Sequence, residues 1–287
     1  ALGIAVLIGC LGLEVRSYVK GAFICGLMLC AGFSRVAGAD ISNTAYGVPS
    51  CLAELAQPAG HRERLPQSFG LVSWNIEKGN NPEWLEDLQT QQTSPDLMLL
   101  QEAYIPSPFK RFVGPVTHEN FSEGYLAGRL QTGVLSVSSV KPQLHCALTA
   151  YEPWLTTPKA TTITRYGLTG SEQPLLVINA HMVNFEWGVE GFIQQWQEIE
   201  QVLKQHNGPL IVAGDFNTWN VERVGVLETV KRRHNLTSVA FYPDLRTAFF
   251  GIPLDHVLLR NLNATKAKVL VSTKSDHNSL WVELKFE

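Results

Sequence analysis

The stretch LIVAGDFN, at residues 210–217, decides the fold. Its first four residues are apolar and predict a buried strand, and the strand then runs into Gly214, Asp215 and Asn217. Polar residues directly after a buried strand lie at the rim of a sheet, where a rigid scaffold presents reactive groups. The stretch therefore predicts a β-sheet core with a functional rim.

Three further segments combine an apolar stretch with an acid, an amide or a histidine, and two short polar motifs follow them. They are LVSWNIE at 71–77, LMLLQE at 97–102, LVINAH at 176–181, PLDH at 253–256 and SDHN at 275–278. One polar strand end is ordinarily the start of a loop, but six on packed sheets can converge on one pocket. The sequence therefore predicts a single active-site pocket at the strand rim.

Strand-like segments outnumber helices from residue 69 onward. The strand segments lie at 70–76, 96–101, 133–138, 161–166, 175–180, 210–213, 255–260, 268–272 and 279–286. Helices are predicted from residue 81, over 190–206, and from an Asn220 cap through residue 233. Because strands and helices do not alternate uniformly, this order favours a two-sheet α/β core with outer helices over a Rossmann or TIM arrangement.

The composition fits one globular domain and excludes a general surface for polyanions. The 287 residues include 45% hydrophobic and 17% charged side chains, with a formal net charge of -3. Nucleic acid would therefore need a local basic patch, and none is evident in the sequence. The sequence also lacks the motifs of serine hydrolases, P-loop NTPases and dinucleotide enzymes.

Residues 1–39 predict a leader. Two apolar stretches, at 1–13 and 21–33, are each too short to span a bilayer, and basic residues lie between them. The segment ends in the small residues Ala37, Gly38 and Ala39. This pattern predicts a signal peptide cleaved between Ala39 and Asp40, and hence an exported protein, periplasmic or secreted. The alternatives are a retained anchor, or a leader foreign to the natural product on a cytoplasmic protein.

The predicted division is a leader over 1–39, an irregular segment over 40–68 and one catalytic domain over 69–287. Because the leader holds three basic residues and one acidic residue, its removal changes the formal net charge from -3 to -5. Two cysteines would remain, Cys51 and Cys146, either paired or as buried thiols. We expect no stable membrane span in the mature chain, and a monomer.

The polar residues at the rim indicate a chemistry. Asn75, Glu102 and Asp276 offer only oxygen ligands, which suit a hard cation such as Mg²⁺ or Mn²⁺, and the cysteines match no zinc spacing. Asp215 can accept a proton from a water molecule, and two of the histidines can donate to a developing anion or leaving group. The set fits hydrolysis of a phosphoester.

In their order along the chain, these motifs resemble the endonuclease/exonuclease/phosphatase superfamily, and most closely its YafD-like bacterial subgroup, which has no assigned substrate. The resemblance runs from about residue 69 to 287 and rests on WN at 74–75, LQE at 100–102, NAH at 179–181, GDFN at 214–217, LD at 254–255 and SDHN at 275–278. It implies the DNase I-like fold: a four-layer α/β sandwich of two mixed, mainly antiparallel β-sheets packed face to face, with helices outside.

The resemblance also implies roles for the metal and the water. Glu102 would bind the metal, and Asn75 and Asp276 would complete or support its coordination. Asp215 would orient or deprotonate the attacking water.

Further residues would act on the phosphoryl group. Asn217 and His181 would hold its oxygens, while Asp255 would pair with His277 and fix the tautomer and charge of that ring. The chain departs from the family at Ala180, where a Thr is common. It also departs beside Asp255, where an Arg and an aromatic are common and this chain has Pro253 and His256. These departures affect substrate contacts more than the metal and water machinery.

The predicted function is a Mg²⁺- or Mn²⁺-dependent, nuclease-like phosphodiesterase. Two alternatives keep the chemistry and change the substrate to a phospholipid head group or a small phosphate ester, and a third is a pseudoenzyme that binds without turnover. Phe185 and Trp187 could contact a base, a sugar or lipid, but exposed loop aromatics that pack on the next helix are the simpler expectation. A core or rim position is expected for His256.

Overall fold

The computed structural model describes residues 44–58, 63–90, 95–108 and 116–287, which fall within one compact unit. The predicted leader lies outside these residues. Across the described ranges, no helix is both long enough and apolar enough to cross a membrane. The helices are α1 (Val48–Leu55), α2 (Trp84–Thr90), α3 (Glu190–Leu203) and α4 (Val221–His234).

The strands form two large sheets and one small hairpin. In chain order they are β1 (Ala45–Tyr46), β2 (Arg64–Leu65), β3 (Ser68–Asn75), β4 (Leu97–Ile105), β5 (His118–Ala127), β6 (Leu130–Ser138), β7 (Leu144–Tyr151), β8 (Pro158–Leu168), β9 (Leu175–His181), β10 (Leu210–Asp215), β11 (Thr237–Ser238), β12 (Ala248–Phe249), β13 (Ile252–Pro253), β14 (Asp255–Arg260), β15 (Asn263–Leu270) and β16 (Ser279–Lys285).

Both large sheets are mixed and mainly antiparallel. The first has the order β1-β7-β8-β9-β10-β14-β11, with β2 beside β8, and the second has the order β15-β16-β3-β4-β6-β5. In the first sheet β9 and β10 run parallel, and in the second β3 and β4 run parallel. Strands β12 and β13 form the separate hairpin.

The two sheets pack face to face, with helices on their outer faces. Leu71 and Leu99 of the second sheet share one apolar core with Val177 of the first. Trp196 of α3 packs against the outer face of the first sheet, and Trp84 of α2 packs against that of the second. The order of layers is helix, sheet, sheet, helix, which confirms the predicted four-layer sandwich.

Strand β9 shows why the central strands are continuously apolar. Val177 belongs to the core between the sheets, whereas Leu176 and Ile178 belong to the core beneath the helices. A strand covered on both faces has no solvent side, so it loses the alternation of polar and apolar residues. Its polar residues are confined to its end.

The predicted irregular segment over 40–68 is wrong in part. Residues Val48–Leu55 form α1, with a proline in its first turn, and Cys51 of this helix is joined by a disulfide to Cys146 of β7. The Cα atoms of these cysteines are 5.5 Å apart. A helix of eight residues is too short to show a clear apolar period, and its contacts with the sheet stabilise it instead.

Strands β5 and β7 were not predicted from the sequence either. Strand β5 lies at the edge of the second sheet and is rich in polar residues, with only Phe121 and Ser122 buried. An edge strand with one partner does not need the apolar pattern of a central strand. The predicted cap of α4 is confirmed, because Oδ1 of Asn220 accepts a hydrogen bond from the backbone N–H of Arg223 at 2.8 Å.

Candidate active site

Strand pairing brings three of the predicted site residues together. The parallel register of β9 and β10 places His181 beside Asp215, and the antiparallel register of β10 and β14 places Asp255 on its other side. Asn75 ends β3 in the facing sheet, and its Nδ2 donates to Oδ2 of Asp215 at 3.1 Å. The rim therefore joins residues from both sheets.

Gly214 is required by the close approach of β10 to β9. Its φ is +144°, and a Cβ at this position would lie 2.0 Å from the carbonyl oxygen of Ala180. A side chain here would push Asp215 away from His181. This contact explains the glycine of the GDFN motif.

One cavity of about 480 Å³ gathers seven of the eight predicted residues. Its lining includes Asn75, Glu102, His181, Asp215, Asn217, Asp276 and His277, together with Lys78, Tyr125, Glu152 and Lys159. Asp255 is buried and hydrogen bonded to His277. A larger surface cavity of about 950 Å³, which includes Ser171 and Arg260, is lined by none of the predicted residues.

His277 is held from both its ring and its backbone. Nδ1 lies 2.8 Å from Oδ2 of Asp255, and the backbone oxygen accepts from Nε1 of Trp74 at 2.8 Å. Burial opposes protonation of the ring, but the carboxylates of Asp255 and Asp215 outweigh it and raise the pKa of His277 to about 10. His277 is therefore an imidazolium at neutral pH.

Ser275 accounts for the serine in the Ser-Asp-His motif. Its hydroxyl donates to the backbone oxygen of Asn75 at 2.7 Å and accepts from the backbone N–H of His277 at 3.1 Å. It thereby ties the loop before β16 to the end of β3. Asp276, the middle residue of the motif, is exposed at the mouth of the cavity.

Asp215 has the environment of a base. Its Oδ1 accepts from the backbone N–H of Asn217 at 3.0 Å. Burial, with a further contribution from Asp255, raises the pKa of Asp215 to about 6, although His277 and Lys159 act in the opposite direction. A carboxylate with this pKa is mostly ionised at neutral pH and still has appreciable proton affinity.

Lys159 was missed by the sequence reasoning. Its Nζ lies 2.9 Å from Nε2 of His181 and 3.5 Å from Oε1 of Glu152, and it is almost fully buried. Because an ammonium group only donates, Nε2 of His181 accepts this hydrogen bond and its ring is neutral. Burial, then Lys159, His277 and Lys78, hold the pKa of His181 well below its usual value.

The observed arrangement bears on the roles expected for His181 and Asn217. Nε2 of His181 is directed at Lys159, so this atom does not donate into the cavity. One N–H of the Asn217 amide donates to the backbone oxygen of Met182 at 3.0 Å, which leaves its second N–H for a ligand. Lys159 lies outside every recognised motif, so only the fold reveals it.

The donor set fits a hard cation. Glu102 lies in a bulge of β4 with a φ of +47°, a position that side chains adopt only under constraint. The carboxylates of Glu102 and Asp276 and the amide of Asn75 line the same cavity, and all offer oxygen. Oε2 of Glu102 forms an ion pair with Lys78.

Asn75 is already engaged on both sides of its amide. Oδ1 accepts from the backbone N–H of Glu77 at 3.0 Å, and Nδ2 donates to Asp215. It is therefore better placed to support the metal shell than to complete it. Glu77 does not line the cavity, and its carboxylate accepts from Asn80 instead.

A second group could also hold a metal. Ligand atoms of Asp215, Asp255 and His277 all lie within 4.8 Å of one another. The ring of His277 lies between the two carboxylates, with Nδ1 on Asp255 and Nε2 3.9 Å from Asp215. A protonated ring has no free lone pair, so this trio is better described as a charge-balanced hydrogen-bonded group.

Two buried polar contacts connect the layers under the cavity. Nε2 of Gln101 donates to Oδ1 of Asn179 at 2.6 Å, which links β4 of one sheet to β9 of the other. Arg223 is fully buried and donates to the backbone oxygens of Val183 and Asn217 at 2.6 and 3.0 Å. The Gln101 bond ties the two sheets together, and the Arg223 bonds hold the loops that follow β9 and β10.

Two expectations for single residues have different outcomes. His256 stacks on Phe216, with ring centroids 5.3 Å apart, and does not line the cavity, which confirms its core or rim position. Phe185 and Trp187 are exposed loop aromatics, as expected, but the ring of Trp187 lies 5.0 Å from that of Trp154 and is not part of the core beneath α3.

The sequence matches the model of the Endonuclease/Exonuclease/phosphatase family over residues 72–277. It is 40% identical over 216 residues to a UPF0294 protein of Vibrio parahaemolyticus, which covers 75% of this chain and 76% of the relative. A UPF0294 protein of Erwinia tasmaniensis is 36% identical over 229 residues, covering 79% of this chain and 83% of the relative.

Solved structures share the fold at low sequence identity. A family protein from Leptotrichia buccalis has a TM-score of 0.60 at 15% identity, covering 76% of this chain and 100% of that one. The human Nocturnin catalytic domain with bound sulfate has a TM-score of 0.56 at 19% identity, covering 78% and 97%. D. rerio TDP2 complexed with a single-strand DNA product has a TM-score of 0.55 at 15% identity, covering 76% and 99%.

Proposed function

The chain belongs to the endonuclease/exonuclease/phosphatase family, and from that premise we propose that it hydrolyses phosphodiester bonds with Mg²⁺ or Mn²⁺ as its cofactor. The family comprises metal-dependent phosphoester hydrolases. The observation that carries the proposal is the single cavity in which oxygen ligands, a carboxylate base and buried cations meet. Such a set suits the attack of water on a phosphoryl group.

The metal would be held by Glu102 and Asp276, with Asn75 in support. There it would supply Lewis-acid polarisation of a phosphoryl oxygen. We favour these residues over the Asp215, Asp255 and His277 group, because the imidazolium of His277 already balances those carboxylates.

Asp215 orients and deprotonates the attacking water. Its carboxylate is fixed by Asn75 and by the backbone of Asn217, so its orientation is set before substrate enters. Its raised pKa increases its proton affinity while leaving it mainly ionised at neutral pH. The proton of the water passes to Oδ1 or Oδ2 of Asp215 as the water oxygen bonds to phosphorus, and the ester P–O bond breaks to release an alkoxide or phenoxide that takes its proton from solvent.

Lys159, His277 and Asn217 stabilise the charge that grows on the phosphoryl oxygens. Lys159 and His277 are both buried cations at the cavity wall, and buried donors in a fixed position act more strongly than solvated ones. The second N–H of Asn217 adds a neutral donor. Asp255 keeps the ring of His277 protonated and oriented.

A metal and substrate screen of the purified full chain tests the proposal. Bis(p-nitrophenyl) phosphate, p-nitrophenyl phosphate, DNA, RNA and phosphatidylcholine vesicles are incubated with Mg²⁺, Mn²⁺ or a chelator. We expect hydrolysis of the soluble diester with either metal, a slower reaction with the monoester, and none with the chelator. A folded protein that cleaves none of these substrates would favour a binding role without turnover.

A further inference from the structure

Three loop tips beside the catalytic cavity carry large exposed apolar side chains. They are Leu155, Trp187, which is 83% exposed, and Phe250, which is 91% exposed. Each lies at, or directly before, a residue with positive φ, so each marks the apex of a tight turn. We refer to Leu155, Trp187 and Phe250 as the apolar tips.

Leu155 lines the catalytic cavity, Phe250 packs its ring against Phe249, and Trp187 and Phe249 line a second pocket that adjoins this cavity. This pocket has a volume of about 380 Å³, and Asn184, Phe185, Asn217 and Leu254 line both spaces. Its remaining walls are largely aromatic and include Trp154, Trp187, Trp219 and Phe249. An apolar surface therefore continues directly from the cavity wall.

Folding does not explain the residue at position 250. Phe250 has a φ of +47° in the two-residue turn between β12 and β13, where glycine or asparagine is preferred. Its side chain is almost wholly exposed, so its contacts within the described chain are few. A phenylalanine that weakens this turn and fills no core indicates that the side chain contacts something outside the protein.

The charges around the tips oppose a polyanionic partner. Segments 151–157, 185–190 and 247–253 contain no lysine or arginine. Of their acidic residues, Glu152 and Glu186 are buried and Glu190 is exposed. Proteins that stack the bases of single-stranded nucleic acid combine aromatic side chains with a basic groove. The three segments supply the aromatic side chains but no basic residue.

We propose that the apolar tips dock the protein on a neutral phospholipid surface, so that the cavity receives the phosphodiester of a lipid head group; this substrate class rests on the function proposed above. Tryptophan and phenylalanine are favoured at the boundary between acyl chains and head groups. Tips inserted at this depth would bring the cavity to the level of the phosphates. Uncharged segments suit a surface without net charge.

Tryptophan quenching by lipid tests this docking on the full chain. Vesicles of phosphatidylcholine and phosphatidylethanolamine carry a nitroxide-labelled phosphatidylcholine, and a chelator prevents turnover. All seven tryptophans lie at residue 74 or later, so the signal does not report on the N-terminal segment. We expect quenching of the wild type, and about tenfold weaker vesicle binding by Phe250→Ser.

Val271→Ser is the matched control, because Val271 is 61% exposed and belongs to none of the three tip segments. It should bind vesicles as the wild type does. A second variant, Trp187→Phe, should reduce the quenching itself. Equal vesicle affinity of Phe250→Ser and wild type would overturn the proposal. So would a single-stranded 20-mer that binds with an affinity dependent on Phe250, or self-association that Phe250→Ser abolishes.

Hydrolysis of soluble bis(p-nitrophenyl) phosphate separates this inference from the proposed function. Phe250 lines neither pocket, so Phe250→Ser should cleave the soluble diester at the wild-type rate. Soluble activity combined with unchanged vesicle affinity in the variant would overturn the docking and leave the function standing. Tip-dependent vesicle binding without any soluble activity would support the docking and contradict the function.

Discussion

Nδ1 of His277 lies 2.8 Å from Oδ2 of Asp255, and this hydrogen bond joins the two sheets at the rim of the cavity. Asp255 begins β14 of the first sheet, whereas His277 lies in the loop before β16 of the second. The pair therefore depends on the packing of the sheets, and it fixes a charged ring in the catalytic cavity. Both residues were paired by the family resemblance, and the structure places them in contact.

Asp255→Asn should slow catalysis without disturbing the fold. The amide cannot balance the imidazolium, so the pKa of His277 falls and its ring loses the partner that orients it. We expect kcat on bis(p-nitrophenyl) phosphate to fall by about a hundredfold or more, which corresponds to about 2.7 kcal/mol, with a smaller change in KM. Steady-state rates together with circular dichroism check this prediction, and an unchanged kcat in the folded variant would show that the pair has no catalytic role.

Lys159→Met should weaken transition-state stabilisation. Methionine keeps a similar length and apolar character but removes the ammonium group that lies near His181 and Glu152. Removal of one fixed donor to a developing anion lowers kcat by about a hundredfold to a thousandfold. Lys285→Met, at an exposed lysine at the end of β16, should keep the wild-type kcat and serves as the control. Equal rates in both variants would exclude Lys159 from the chemistry.

The sequence predicted the rim because apolar strands and polar strand ends differ sharply in composition. The strands β9 and β10 are buried on both faces, so their polar residues stand out at the ends. The sequence predicted that these ends converge on one rim, and strand register is what places Asp215 between His181 and Asp255. The location of the site could therefore be predicted well.

Other features depend on three-dimensional packing that leaves no local pattern. Lys159 is a single basic residue at the start of a strand, and only the pairing of β8 with β9 brings it to His181. Helix α1 is defined by its contacts with the first sheet and by the disulfide from Cys51. The ring contact of Trp187 with Trp154 of another loop, at 5.0 Å between centroids, likewise leaves no local pattern in the sequence.

His256 should make stability depend on pH below neutrality. Burial, with a smaller contribution from Arg246, lowers the pKa of His256 to about 3, whereas an unfolded histidine has a pKa near 6.5. Between these pH values His256 is protonated in the unfolded state but not in the folded state. The free energy of unfolding therefore falls as pH falls, by about 1.4 kcal/mol per pH unit. Urea unfolding from pH 7 to pH 4 measures this slope.

The variant His256→Gln should lose that contribution. It retains a polar group near Thr218, whose hydroxyl lies 2.7 Å from Nε2 of His256, but does not titrate. Between pH 6.5 and pH 4, the free energy of unfolding of the variant should fall less steeply with falling pH than that of the wild type. The difference in slope should be about 1.4 kcal/mol per pH unit, which corresponds to one proton. Identical slopes in the two proteins would mean that His256 is protonated equally in the folded and unfolded states.

Export is a prediction from residues 1–39, and in an oxidising compartment the disulfide between Cys51 and Cys146 would persist. Full-length protein expressed in a Gram-negative cell should be found outside the cytoplasm, beginning at Asp40 and with both cysteines oxidised. N-terminal sequencing and thiol labelling of cell fractions check this prediction. Cytoplasmic protein with an intact leader and free thiols would contradict it.

The central claim is that Glu102 holds the metal of a phosphodiesterase, and Glu102→Gln tests it most directly. Initial rates on bis(p-nitrophenyl) phosphate and calorimetric titration with Mn²⁺ are measured on the wild type, on Glu102→Gln and on Glu228→Gln, a control at a half-buried glutamate of α4 that pairs with Lys231 and does not line the cavity. A neutral amide is a poor ligand for a hard cation, so Glu102→Gln should lose Mn²⁺ affinity and on the order of a thousandfold in rate, while the control matches the wild type. Wild-type rate and Mn²⁺ affinity in a folded Glu102→Gln protein would contradict the account.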